Sequence, residues 1–519
     1  MSLDQAVRIG EALCGEGAPA AGGWALADGS AGTGLFLAEL CRIAPCARLR
    51  RGAAAALERA VAGAERGGLS GGFYAGRVGV AYAAARGGTL LGREELLGAA
   101  RRLLLPTPGK ADAGLDLYSG AAGAVPVLLH LAELLGEDAL RGRAVGLGER
   151  IVAAARREPY GWSWPNPRVP AVRGPTGLAH GASGMGHALL ALARATGDGA
   201  WLYGARQAFL YERSFFRPEA GGWLDLRTIP GGGEPYPGRV SAGWRHGTAG
   251  IGLARAHAFR VLGDRVLREE ALAAAQAVAG RFPRGDDLSP DHGAAADGEL
   301  LLYAAGVLER PEWRERVEAA VEEGWGRRAC GSPSPGLLAG AAGVGHLFLR
   351  MADPGVPPFL LPGELAPDGV TPEPCDAARR EHVRVFFGDA LDRLERLRER
   401  GVLAHSAALP PPPAPAPHAP TPPEPAPVAA YRALRRWAVA LPPAERGVGE
   451  DALALPLARF ELLLGPVDLA REAREQRLRA DVRAVRWGPD TLVSRAPRAR
   501  LVETARAWEG WPGGAAPLP

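Results

Sequence analysis

The sequence predicts an all-α protein built as an α/α toroid, a ring of repeated helical hairpins. A turn with two glycines three residues apart recurs along the chain. The intervals between these turns are 47, 44, 61, 66, 46 and 47 residues, as expected for an array of like units. Apolar residues between the turns recur at helical rather than alternating spacing. The first glycine of the turn stands at seven positions, Gly29, Gly76, Gly120, Gly181, Gly247, Gly293 and Gly340.

Each glycine step predicts the start of one helix. Six of the steps keep glycine at the fourth position, and the step at Gly293 has Ala296 there. Small residues at a helix start allow backbones to approach closely around an axis. The helices after the steps are rich in Ala, Gly and Leu, whereas the second helix of each unit is more charged, as in residues 137–156 and 265–279. We therefore expect an inner and an outer layer in seven hairpins. An open solenoid is the alternative, because sequence alone does not show closure.

The toroid is predicted to cover residues 1–363, followed by a helical extension over 364–405 and a Pro-rich linker over 406–427. Residues 410–427 include 11 prolines in 18 positions, a composition typical of a semi-rigid polyproline II spacer. A ligand for an aromatic groove is the less favoured interpretation. Residues 428–519 are predicted to form a small C-terminal domain, and no motif indicates its role.

Composition excludes several classes of protein. No stretch approaches the ~18 consecutive apolar residues of a membrane span, and the charged N-terminus is unlike a signal peptide. The five cysteines are far apart and form no C-x-x-C pair, so neither a disulfide framework nor a zinc knuckle is expected, and a reducing cytoplasm fits. The net charge of +4 is small for 519 residues and indicates no nucleic-acid partner.

Polar residues suited to chemistry cluster at the glycine steps. The starts of all inner helices of a toroid face one rim, so these residues are expected to converge on one mouth. The alternative is that each caps a helix, and this interpretation is favoured for Asp28 and Ser119. His187 and His346 follow their steps by a turn and are expected in the wall. The candidate site residues are Asp116, Tyr118, His180, Trp244, Arg245, His246, Asp291 and His292.

At these motifs the chain resembles the lanthionine synthetase C-like (LanC-like) family, most closely the C-terminal cyclase domain of class II lanthipeptide synthetases. The resemblance covers about residues 20–360. It rests on the motifs D-G-S-A-G-T-G-L-F-L-A-E-L, L-Y-S-G-A-A-G, T-G-L-A-H-G-A-S-G-M-G, Y-E-R-S-F-F-R-P-E-A-G-G-W-L-D-L-R, W-R-H-G-T-A-G-I-G-L-A-R and S-P-G-L-L-A-G-A-A-G-V-G.

The resemblance implies addition of a cysteine thiol of a precursor peptide to a dehydroalanine or dehydrobutyrine, giving a thioether ring. In the family, a zinc ion held by two cysteines and one histidine, in W-C-H/Y-G and C-H-G, activates the thiol. Here Arg245 and Asp291 stand at the cysteine positions and only His292 remains. Arginine has no lone pair to offer, so no zinc cofactor is expected. Because two thiolates with Zn²⁺ and an Arg–Asp pair both sum to zero charge, we expect an Arg245–Asp291 ion pair with charged atoms within about 4 Å.

The resemblance also implies roles for the remaining residues. His180 would protonate the enolate carbon after thiol addition, since a histidine can serve as acid and base near neutrality. Asp116 would orient His180 or the peptide, and the charge of Arg245 or the base His292 could activate the thiol. Trp244, His246, Tyr118, Arg245 and Asp291 are expected to bind the substrate.

Three functional hypotheses follow. The first is metal-independent thioether cyclisation of a dehydrated precursor peptide, a pattern known from zinc-less LanC-like domains of class III synthetases. The second is an inactive scaffold that binds a precursor peptide or a partner modification enzyme. The third, weaker one is a carbohydrate enzyme with Asp116 and Asp291 as paired carboxylates, although no set of sugar-binding aromatic residues accompanies them. The short segment ahead of the resembling region does not resemble the family's dehydratase half, so for a complete chain a separate dehydratase or other modification enzyme is an expected partner.

Overall fold

A computed structural model describes residues 1–15, 22–105, 114–158, 160–169, 171, 173–227, 239–325 and 334–363. The chain divides into two units, and all of these residues belong to the first, Met1–Pro374 together with Asp468–Arg486. The predicted extension, linker and C-terminal domain, residues 364–519, lie outside the described residues. Among the helices that the structure describes, none is both long and apolar enough to cross a bilayer.

Seven helices form a closed inner ring. Each begins directly after the first glycine of a step, which is the N-cap residue. Each packs against the next, and the last packs against the first, so the ring is closed and the open solenoid is excluded for this part of the chain. The inner helices are α2 (Ser30–Ile43), α4 (Arg77–Leu91), α6 (Ala121–Leu135), α8 (Ala182–Thr196), α10 (Thr248–Leu262), α12 (Ala294–Val307) and α14 (Ala341–Ala352).

Seven further helices form the outer layer, and each pairs with one inner helix as a hairpin. The prediction of an apolar inner layer is confirmed, since the inner helices are buried along most of their length and the outer helices on one face. The N-terminal helix α1 is the outer partner of α14, so the first and the last of the described helices form the seventh hairpin. The outer helices are α1 (Ser2–Leu13), α3 (Ala47–Glu65), α5 (Glu94–Leu104), α7 (Ala139–Ala153), α9 (Gly199–Arg213), α11 (Arg265–Ala279) and α13 (Pro311–Glu322).

Main-chain hydrogen bonds join neighbouring turns around the rim. The N–H group of the residue two before the N-cap glycine donates to the carbonyl of the corresponding residue in the next turn, as Ala179 does to Arg245 over 3.1 Å. Equivalent bonds join six of the seven junctions, including that between the last and first turns. At the junction of the fifth and sixth turns, the described residues form no such bond. The residues at the two equivalent positions there are Arg245 and Asp291.

The second glycine of the step is required by a close backbone contact. A Cβ atom on Gly250 would lie 1.9 Å from the carbonyl oxygen of Trp244, six residues earlier. The same contact with a carbonyl six residues earlier occurs at the other five steps that keep this glycine. The sixth turn departs from the pattern, because Ala296 occupies the position.

Two short antiparallel hairpins interrupt the helical pattern, which the all-α prediction did not include. They lie in the two longest intervals between steps and account for part of the additional length. Register pairs Arg156 with Ser163 in the first hairpin and Phe216 with Trp223 in the second. The strands are β1 (Arg156–Glu158), β2 (Gly161–Ser163), β3 (Phe216–Arg217) and β4 (Gly222–Trp223), with a 3₁₀ turn at Pro218–Ala220.

A buried ionic network links the fourth turn to the wall. The Arg255 side chain is fully buried and donates to Glu212 over 2.9 Å and to Glu270 over 2.8 Å. Glu212 also accepts the main-chain N–H groups of Gly177 and Ser183, at the turn and the first residues of α8. The ion pairs offset the cost of burying these charges, because every member has hydrogen-bond partners. Glu212 and Arg255 stand in two of the longest motifs that carry the family resemblance.

Residues 356–363 fill the interior of the ring. The Phe359 carbonyl accepts the Tyr74 hydroxyl over 2.7 Å, and the Leu360 carbonyl accepts the Trp244 indole N–H over 3.3 Å. On another side, the His187 imidazole contacts the Pro362 carbonyl over 2.9 Å. These partners belong to separate turns and helices around the ring, so the segment supports the rim residues from below. His187 and His346 are buried in the wall, as expected.

Candidate functional site

An imidazole–carboxylate pair stands at the rim, between the third and fourth turns. His180 Nδ1 lies 2.9 Å from Asp116 Oδ2, and both side chains are buried. The ionised carboxylate can only accept, so Nδ1 carries a hydrogen, and in the neutral tautomer the lone pair is on Nε2. Asp116 and His180 are 64 residues apart in sequence, and the convergence of the steps on one rim brings them together.

Hydrogen bonds hold Asp116 ionised despite its burial. Burial works to raise the pKa of Asp116, but donation from His180, Ser119 and Asn166 outweighs it, so the pKa lies below its ordinary value. The Ser119 main-chain N–H and hydroxyl both donate to Oδ1, over 2.7 and 3.1 Å. The interpretation of Ser119 as a helix cap is therefore wrong. Gly120 is the N-cap of α6, and the Ser119 hydroxyl is used by Asp116 instead.

Asp28 does not cap a helix either. The N-cap residue of α2 is Gly29, without a side-chain hydrogen bond, and Asp28 is exposed. All seven inner helices begin in this way, with an extended glycine as N-cap and no side-chain cap hydrogen bond.

The predicted ion pair between Arg245 and Asp291 is confirmed. Arg245 Nη2 lies 2.5 Å from Asp291 Oδ2, and Nε donates to Oδ1, which makes a bidentate pair. The side chains are 24% and 7% exposed. Burial works to lower the pKa of Arg245, and the hydrogen bonds and charge of Asp291 raise it above its ordinary value. The pair crosses the junction of the fifth and sixth turns that has no main-chain hydrogen bond among the described residues.

Three aromatic side chains form a layer beneath and beside this pair. The Arg245 guanidinium lies 4.4 Å from the centre of the Tyr118 ring, a cation–π contact. Tyr118 stacks against Tyr74, and Tyr74 meets the Trp244 ring edge-on at 4.9 Å. Trp244 is fully buried, so it supports the rim from below and does not face the mouth. Burial raises the pKa of Tyr118, against the opposing charge of Arg245.

His246 stacks on His180 with ring centres 5.2 Å apart. Burial, together with the positive charge of Arg227, lowers the pKa of His246 to about 3. Its Nδ1 atom is buried without a hydrogen-bond partner. His246 is thus a neutral imidazole beside the His180 ring at neutral pH.

The residues at the position where the resemblance implies zinc do not fit a zinc ion. Both Asp291 oxygens accept from Arg245, and a guanidinium offers no lone pair to a metal. The His292 side chain is 66% exposed, with Nε2 3.6 Å from Asp291 Oδ2. Within the part of the chain that the structure describes, no group of three or more His, Cys, Asp or Glu side chains is placed to hold a metal. The described cysteines, Cys14, Cys41 and Cys46, are free thiols.

Two residues that the sequence pattern did not single out lie on the carboxylate side of the pair. Asn166 Nδ2 donates to Asp116 Oδ2 over 3.0 Å, and Arg168 Nη1 donates to the Ser119 hydroxyl over 2.9 Å. They lie in the long interval between α7 and α8 and far from any glycine step. A compositional signal was present, because Asn166 is the only asparagine in the sequence.

The described residues thus define a closed α/α toroid with a histidine–carboxylate pair and an Arg–Asp pair at its rim. The chain belongs to the lanthionine synthetase C-like protein family, whose model matches residues 21–361. Nisin cyclase is among the solved structures with a similar fold, at 17% sequence identity and a TM-score of 0.50, over 64% of this chain and 89% of that chain. At that identity the likeness concerns the fold, and it agrees with the closed toroid.

Proposed function

We propose that this chain catalyses metal-independent thioether cyclisation of a dehydrated precursor peptide, with His180 as the proton carrier. The observation that supports the proposal most is the intact Asp116–His180 pair, beside a metal position that an ion pair fills. The family and the name of nisin cyclase give the reaction class. The geometry around His180 gives this chain a group able to perform its proton transfers.

In the proposed reaction, one histidine moves one proton. The Nε2 lone pair of neutral His180 takes the proton of the peptide thiol, and the sulfur attacks the β-carbon of the dehydroamino acid. As the C–S bond forms, the π electrons of the Cα=Cβ bond move towards the adjacent carbonyl to give an enolate. His180 then returns the proton to the α-carbon. The net result is transfer of one hydrogen from sulfur to carbon, with no oxidation and no leaving group.

Addition of a thiol to a dehydroamino acid can proceed without a metal. A cysteine thiol with a pKa near ~8.5 is partly ionised at neutral pH. Holding the thiol and the alkene at reacting distance can supply much of the remaining acceleration. Asp116 would hold the tautomer of His180 and stabilise the imidazolium that forms transiently.

We propose that Arg245 and Asp291 hold turns five and six together at the rim. Two donor groups of Arg245 face Asp291, and its guanidinium plane lies over Tyr118, so both side chains are already engaged. The same engagement argues against Asp291 as half of a carbohydrate-hydrolysing carboxylate pair. Tyr118 and His246 remain as the predicted contacts to the peptide, and the exposed His292 is the other predicted catalytic residue.

An inactive scaffold is the second candidate, and one observation favours it. The position from which the family activates the thiol is filled by the ion pair, which leaves His180 to perform both proton transfers. A scaffold would bind the dehydrated peptide or a partner dehydratase at the same rim without accelerating ring formation.

The test uses synthetic peptides that each carry one dehydroalanine and one cysteine. Mass spectrometry after thiol alkylation measures ring closure, because a closed ring has no free thiol to alkylate. Reactions with wild type and with His180→Ala are compared with peptide alone. The proposal expects closure above the peptide-alone rate, lost in His180→Ala and unchanged by a chelator. Peptide binding without acceleration would favour the scaffold. About one zinc per chain by elemental analysis, with activity lost on chelation, would overturn the metal-independent mechanism.

A further inference from the structure

The segment of residues 164–169 is built to present one amide. Asn166 stands between Pro165 and Pro167, and each proline fixes its own φ angle while Pro167 restricts Asn166 to an extended conformation. The Asn166 carbonyl accepts the Val169 N–H over 3.0 Å, which closes the turn. A chain of 519 residues that uses asparagine once places it here, against the imidazole–carboxylate pair.

The contacts fix the orientation of the Asn166 side chain. Its oxygen accepts the main-chain N–H of Arg168 over 3.0 Å, and its NH₂ group donates to Asp116 Oδ2 over 3.0 Å. An N–H can only donate and an ionised carboxylate can only accept, so both contacts require the same orientation of the amide. The amide therefore approaches the same carboxylate oxygen that accepts from His180.

The same segment reaches the other carboxylate oxygen through Ser119. Arg168 donates to the Ser119 hydroxyl, which in turn donates to Asp116 Oδ1 over 3.1 Å. Asp116 thus has four hydrogen bonds, two on each oxygen, from Ser119, His180 and Asn166. A carboxylate held on all sides cannot rotate about its Cβ–Cγ bond without breaking several of these bonds.

We propose that Asn166 is a positioning residue that acts through Asp116 to fix the His180 ring. The inference rests on the proposed function for its consequence in catalysis, but its physical content is a restraint on one imidazole. Without the amide, Oδ2 keeps His180 as its only described donor, and the carboxylate can turn away from the ring. The His180 ring then samples orientations in which Nε2 no longer faces the reacting atoms.

The experiment is a double-mutant cycle with two readouts. The proteins are wild type, Asn166→Ala, Asp116→Ala and the double variant, with Asp116→Leu, which has no acceptor atom, as a second background should Asp116→Ala fold poorly. Arg157→Ala, on the exposed strand β1 before the same segment, is the matched control. One readout is the rate of ring closure on the synthetic peptides, and the other is the rate at which diethyl pyrocarbonate modifies His180, followed by peptide mass spectrometry.

We expect Asn166→Ala to lower kcat about tenfold with KM within about twofold, because the amide orients a group and does not contact the peptide. The same change should raise the His180 modification rate about threefold or more, because a less restrained ring reacts faster. In the Asp116→Ala background, Asn166→Ala should change neither rate, since its effect passes through that carboxylate. Arg157→Ala should match wild type.

Unchanged His180 modification in Asn166→Ala, or effects of Asn166→Ala and Asp116→Ala that multiply in the double variant, would overturn the positioning role. If wild type shows no ring closure, the proposed function fails, while the modification cycle still decides the role of Asn166. If wild type closes rings and the cycle fails, only the positioning role is lost.

Discussion

Replacing Arg245 by methionine tests whether the Arg–Asp pair holds the rim. The Asp291 side chain is 7% exposed and both of its oxygens accept from Arg245, so the variant leaves a buried charge unpaired. Removing one partner of a buried pair costs about 3–5 kcal/mol. Because Arg245 is itself 24% exposed and water can reach the vacated space, we expect about 2–4 kcal/mol for Arg245→Met.

The effect should be concentrated at one junction of the ring. Turns five and six have no main-chain hydrogen bond between them among the described residues, so the side-chain pair is the polar link across that junction. Amide hydrogen exchange should therefore accelerate at residues 243–247 and 289–293 before it changes elsewhere in the ring. Denaturant unfolding gives the global loss, and the exchange data locate it.

Two variants serve as controls for this prediction. Arg93 pairs with Glu58 on the surface, with side chains 41% and 52% exposed, so Arg93→Met should cost less than about 1 kcal/mol. The double variant Arg245→Met with Asp291→Leu removes both charges and should recover most of the stability. If Arg245→Met costs no more than Arg93→Met and exchange at the two turns stays at the wild-type rate, the pair does not hold the junction.

Three further predictions concern pH, a turn glycine and the metal position. Burial lowers the pKa of His246 and of His346 to about 3. As the pH falls below ~6.5, the unfolded chain therefore binds protons that the folded chain does not, so each histidine should lower the free energy of unfolding by about 2–3 kcal/mol at pH ~4.5. The urea midpoint should fall over this range, and a constant midpoint would contradict the prediction. Gly250→Ala should destabilise by about 2 kcal/mol or more because its Cβ would meet the Trp244 carbonyl, whereas Gly142→Ala, in open space on α7, should stabilise by about 0.5–1 kcal/mol in thermal unfolding. Arg245→Cys with Asp291→Cys places two thiolates beside His292 and should bind about one zinc per chain by elemental analysis, whereas wild type should bind none. An unmetallated double variant would show that the two turns do not match the ion.

The periodic features of the fold could be predicted from the sequence because each step carries the same physical requirement. The glycine at the fourth position, as in Gly250, touches a carbonyl six residues earlier, so the requirement repeats wherever the turn repeats. The closure through α1 was not predictable in the same way. The N-terminal helix carries no glycine step, and its pairing with α14 depends on the ring having returned to its starting point.

The site residues that lie at the glycine steps could be predicted from the sequence. Asp116, His180, Arg245 and Asp291 belong to repeating turns, and ring geometry brings such residues together whatever their separation in sequence. Asn166 lies in an irregular segment, where no period fixes its place in space. The prolines on both sides indicated a rigid turn, but not which residue that turn would face. Ser119 was assigned to a cap because local sequence favours the nearest helix, whereas the buried carboxylate of Asp116 offered the better acceptor.

The repeat also accounts for an ion pair at the position where the family resemblance implies a metal. Arg245 and Asp291 occupy the same position in successive turns, two residues before the N-cap glycine, where the other turns are joined through the main chain. The resemblance places two cysteines at these positions, and a metal bridging them would also join turn five to turn six. A bidentate ion pair joins the same two positions, so either a bridging metal or the ion pair can connect turns five and six. The Asp116–His180 pair depends on turns three and four and on the segment with Asn166, and it is intact here. We therefore infer that the contact between turns five and six and the Asp116–His180 pair are structurally separate features of this ring, and that the proposed proton transfer depends on the second.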